Sequence, residues 1–142
     1  MTGINYDICY TQQRIYKYMC QQGYDIKTFS DAYLRSDFCR RAMDTNYSRF
    51  QLETALECAD FYMPEIEDKL KKLPDGEMFD LDIAEWVGFT YRQLYIVSKK
   101  PSSILADAIP FETMVHYYPG MHTIDEDEAA EIILHNAFGN KF

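Results

Sequence analysis

The chain has 142 residues, the length of one ordinary domain, and carries 14 Lys and Arg against 23 Asp and Glu, a net charge of -9. Its 47% hydrophobic content supplies a core without a metal or disulfide staple, and 6 Gly and 5 Pro are too few for a loop-rich or disordered chain. The acidic mean field repels a phosphate backbone, which disfavours nucleic acid as a partner and favours a basic protein surface.

The first helix is predicted over Tyr6 to Gln22, with Ile8, Ile15, Tyr18 and Met19 near one face and Gly23 as a left-handed cap. Tyr6, Tyr10, Tyr16, Tyr18 and Tyr24 crowd this stretch and cannot all face one core. Tyrosines left outside suit protein interfaces. Ser30 is the expected cap of a second helix, stapled by Phe29 and Leu34, with Leu34, Phe38 and Ala42 recurring every fourth residue.

Ser48 and Gln51 match a capping box for a third helix with Leu52, Ala55, Leu56, Ala59 and Tyr62 on its apolar side, ended or kinked at Pro64. A short helix is expected over Glu65 to Leu73, then a turn at Pro74-Asp75-Gly76. Asp82 to Ser98 reads as the central helix, capped by Asp82 and Glu85. Gly88 within it implies close approach of a neighbouring helix. Trp86, the single tryptophan, is expected to anchor this region.

Pro101-Ser102-Ser103 opens a short helix to Ala108, and Pro110 starts another through Tyr117. Phe111 to Tyr118 is the one place where a strand could hide. Tyr118-Pro119-Gly120-Met121 reads as a type II turn. The last helix runs to about Asn136 and is capped in one of two frames, Thr123 to Glu126 or Asp125 to Glu128. The whole is an all-α bundle of six to seven helices, several of them short. It forms a single domain over 1–142, with 1–73 and 79–142 as sub-lobes around one core.

Cys9, Cys20, Cys39 and Cys58 form no C-x-x-C pair and read as small buried hydrophobes. Arg40 and Arg41 beside Cys39 would lower its pKa, but a mid-helix position argues against catalysis. The first seven residues lack the basic and apolar parts of a signal peptide, and no apolar run reaches the ~20 residues that span a bilayer; a cytosolic protein without membrane association is expected. Arg35, Arg40 and Arg41, and Lys69, Lys71 and Lys72, lie among acids and read as solvated mixed-charge faces. Asp125 to Glu128 matches a helix dipole and lacks a calcium-loop pattern.

Glu112 lies four residues before His116, and Glu131 four before His135, as ordinary helix-surface pairs do. The alternative is a small enzyme or metal-binding protein using Glu112, His116 and His122. A helix-turn-helix over Ser102 to Tyr118 is a second alternative, although its second helix is apolar and acidic where a recognition helix wants Arg, Lys, Asn or Gln. No catalytic residue, metal site or cofactor is assigned, and the chain is not expected to be an enzyme.

The stretches Asp82-Ile83-Ala84-Glu85-Trp86-Val87-Gly88-Phe89-Thr90-Tyr91-Arg92-Gln93-Leu94-Tyr95 with Pro101-Ser102-Ser103-Ile104-Leu105, and Tyr118-Pro119-Gly120-Met121-His122-Thr123-Ile124-Asp125, resemble a small, uncharacterised helical family of Gram-positive bacteria. That family is encoded near toxin–antitoxin-like genes, among them ADP-ribosyltransferase-like toxins. The resemblance covers mainly the C-terminal half, brings no functional residues with it, and implies an accessory or antitoxin-like role. The leading expectation is a bacterial protein-interaction module of the antitoxin or immunity type. Its partner-binding surface is expected to combine Trp86, Tyr91, Arg92, Tyr95 and His122.

Overall fold

The computed structural model describes residues 1–140 and Phe142. Among them are seven α-helices: α1 (Gly3–Gln21), α2 (Ile26–Leu34), α3 (Ala55–Ile66), α4 (Leu81–Ser98), α5 (Ser102–Ala108), α6 (Phe111–Met121) and α7 (Glu126–Phe138). A π-helical turn at Cys39–Met43 brings the helices to eight, against six to seven expected, and 3-10 turns occupy Arg49–Leu52 and Glu67–Lys69. The all-α class is as read from the sequence. The described residues hold no strand, only an isolated bridge between Tyr24 and Lys72, and Phe111 to Tyr118 is helical. None of their helices is long and apolar enough to cross a membrane.

The axis of the fold is α4, which packs along α1 and touches α5, α6 and α7. Eight consecutive residues, Val87 to Leu94, are buried, so this helix has neighbours on every side. Gly88 makes the closest crossing possible: a Cβ there would lie 2.7 Å from Tyr16 Cγ and 2.9 Å from the Gln12 carbonyl oxygen. Gln12 Nε2 instead donates to the Gly88 carbonyl at 2.9 Å. Buried apolar side chains from Ile15 to Leu134 form one continuous cluster. Phe29, Tyr33, Phe38 and Tyr62 meet within it at ring separations of 5.5 to 6.3 Å. All four cysteines are free and buried, the packing role expected of them.

Helix boundaries depart from the pattern at several ends, some through a different local cap and some through a distant group. Helix α2 begins earlier than expected because Asp25 accepts from the Thr28 amide at 3.1 Å. Ser30 is buried inside it and bonds the Tyr16 hydroxyl at 2.7 Å. After Leu34 the chain breaks and restarts. Ser36 Oγ accepts from the Cys39 amide at 3.0 Å, and Glu65 of α3 accepts from the amides of Asp37 and Phe38 at 2.6 and 3.0 Å. Leu34, Phe38 and Ala42 are therefore all buried without sharing a helix.

The Ser48–Gln51 capping box forms, but it opens the 3-10 turn, and Thr54 caps α3. The buried face of α3 is Cys58, Ala59, Tyr62 and Ile66, while Leu52 and Leu56 are exposed. Pro64 sits within α3, which runs on to Ile66. Of Glu65 to Leu73, the first residues end α3 and form the Glu67–Lys69 3-10 turn, but Leu70 to Leu73 is not helical, because it pairs with the loop after α1: Asp25 donates to the Lys71 carbonyl at 2.9 Å and Leu73 to that of Gly23 at 2.8 Å. The turn at Pro74-Asp75-Gly76 forms with Gly76 at φ 83°.

Asp80, not Asp82, caps α4. The type II turn at Tyr118 to Met121 is replaced by helix: His122 donates to the Tyr118 carbonyl at 3.0 Å, and Tyr118 is held edge-on against Trp86. Pro119 has a φ compatible with that helix. Asp125 caps α7, the second of the two frames.

Candidate functional site

The five residues expected to form one surface are divided by the burial of α4. Tyr91 and Arg92 are 1% and 0% exposed, so neither can touch a partner. Tyr91 donates to the Ile109 carbonyl, and Arg92 lies inside a polar network. Covered by α1, α5, α6 and α7, this stretch of α4 keeps both inside. Tyr95 is half-buried, with Arg92 and Lys99 over its ring at 5.2 and 5.5 Å. Trp86 and His122 lie elsewhere and do come together.

Arg92 Nε donates to Gln12 Oε1 at 2.9 Å, and Nη1 to Asp44 Oδ1 at 2.7 Å. Nη2 reaches Cys39 Sγ at 3.2 Å and Ser102 Oγ at 3.1 Å. Ser102 in turn donates through its hydroxyl and amide to Asp44, at 2.6 and 2.8 Å, and Tyr33 donates to Gln12 Oε1 at 3.1 Å. The π turn makes this possible. Its wide bond from the Asp44 amide to the Cys39 carbonyl, 2.8 Å, sets both residues on the same guanidinium. Burial would pull the Arg92 pKa down; Cys39, Asp44 and Tyr33 outweigh it and keep the group charged. Burial pushes the Cys39 thiol up to about 11, against the lowering by Arg92, and Arg40 and Arg41 play no part in it. This closed network fastens α1, the π turn, α4 and α5 together. It offers no reactive thiolate and no room for a substrate.

Trp86 and His122 line a cavity of about 100 Å³ with Phe89, Thr90, Gln93 and Glu126, over an apolar floor that includes Met121 and Ile124. Tyr118 organises this wall. Trp86 meets it edge-on at 5.7 Å, and His122 stacks on it at 4.1 Å with the rings 8° from parallel. His122 Nδ1 donates to the Tyr118 carbonyl at 2.6 Å. Gln93 is 1% exposed; its Nε2 donates to Asp127 at 2.9 Å, while its Oε1 accepts no hydrogen bond among the described residues. Glu126 has its pKa raised, chiefly by burial and then by Asp125 and Asp127. Asp80, Asp82, Glu85, Asp125 and Glu126 form no ion pair among the described residues, while Asp127 beside them is held by the N-terminal ammonium at 2.9 Å.

The other candidates are dispersed or already paired. The Glu112 carboxylate is held by Lys27, not by His116, and this pairing keeps its pKa low. His122 is at the far end of α6 from both. No group of three or more His, Cys, Asp or Glu side chains among the described residues is placed to share a metal ion. A larger open groove of about 550 Å³ lies between α2, α5 and α6. Of its charged lining residues, Lys27 pairs with Glu112 and Arg35 with Asp31 and Asp107, while Lys69 makes no ion pair among the described residues. Tyr16 is in the core while Tyr10 stays exposed, packed edge-on against Phe89 at 5.2 Å.

Sequence reasoning missed Gln93 and Glu126 as cavity residues. A glutamine inside the apolar stretch Val87 to Leu94 was the available signal. No family model matches the chain, and no curated protein or solved structure does either.

Proposed function

We propose that the protein is an interaction module of the antitoxin or immunity type, which binds a basic partner protein through the face built by α4, the end of α6 and the start of α7. One observation carries this reading: Trp86 and His122, 36 positions apart in the chain, line one cavity beside acids that have no cation of their own. An aromatic anchor in a pocket with a polar rim is the arrangement of an interface hot spot. The unneutralised carboxylates would speed encounter with a positively charged surface. The net charge of -9 acts in the same direction.

The test is affinity capture from the source organism with the native protein, His122→Ala and, as a control on the opposite groove, Asp107→Asn. His122 is exposed, so its removal leaves the core intact. Loss of a specific partner with His122→Ala, but not with Asp107→Asn, supports the reading. A partner retained equally by all three overturns the assignment of this face.

A further inference from the structure

We draw no further inference here: the strongest candidate, the outward face of α3, where Leu56 and Phe61 stay 60% and 49% exposed and Arg49 lies over the Phe61 ring, carries nothing because nothing in the structure shows what covers it.

Discussion

Arg92 and Glu126 are both charged, and their surroundings differ completely. Arg92 is fully enclosed, yet its guanidinium meets a carboxylate, an amide oxygen, a hydroxyl and a sulfur. Glu126 is exposed at the start of α7 between Asp125 and Asp127, and of these only Asp127 has a cation, the N-terminal ammonium at 2.9 Å. The first arrangement is complete in itself and holds helices in place. The second has no ion-pair partner among the described residues and meets solvent instead.

The contrast breaks most visibly at Asp44. Asp44→Ala leaves Arg92 buried without its counter-ion and is expected to destabilise by about 3–5 kcal/mol, read from urea unfolding. A loss below about 1 kcal/mol would mean that water or Cys39 replaces the carboxylate, and the network would not be the fastening described. Gly88→Ala comes next. The methyl would meet Tyr16 and the Gln12 carbonyl, and overpacking of about 1–3 kcal/mol is expected in the same assay.

Alkaline pH tests how dry the interior is. Burial pushes Cys9 and Cys58 up to about 12 and Cys39 to about 11. These thiols lose protons from the unfolded chain first, so their stabilisation is full below about pH 8.5 and declines as pH rises toward 11. Thermal melts from pH 7 to 11 should show Tm falling over that window, and Cys39→Ser should remove part of the decline.

Tyr62→Phe has a smaller expected effect with the opposite sign to that at Asp44. The Tyr62 hydroxyl is the one buried side-chain polar atom without a hydrogen-bond partner among the described residues. Removing it should be neutral or stabilise by up to about 1 kcal/mol. Glu126→Gln is the smallest change, a gain of less than about 0.5 kcal/mol at neutral pH. Because the folded pKa of Glu126 is raised, the native protein gains stability as pH falls through it, and the advantage of the variant disappears in acid. A substantial loss of stability in this variant would show that Glu126 already has a partner.

The sequence revealed what repeats locally. The central helix with its glycine contact, the short helix after Pro101, the Pro74 turn and the buried cysteines are all legible in nearest-neighbour patterns. Boundaries set from a distance were hidden. Glu65 restarts the chain at Asp37, and the Gly23 loop straightens the segment before Leu73; neither partner is near in sequence. The site was half legible for the same reason. Aromatic character marked Trp86 and His122, but nothing local says that Val87 to Leu94 is covered on every side, which is what takes Tyr91 and Arg92 inside. Gln93 is likewise fixed from a distance, by Asp127 of α7.

The π turn sets a limit on how this chain can vary in length. Such a turn is an ordinary helix carrying one surplus residue. Deleting any one of Arg40 to Met43 would let the backbone settle into the commoner helix and swing the downstream chain by about 100°. Asp44 would then leave the arginine, although every other side chain of the network stayed unchanged. Here the number of residues carries as much information as their identity.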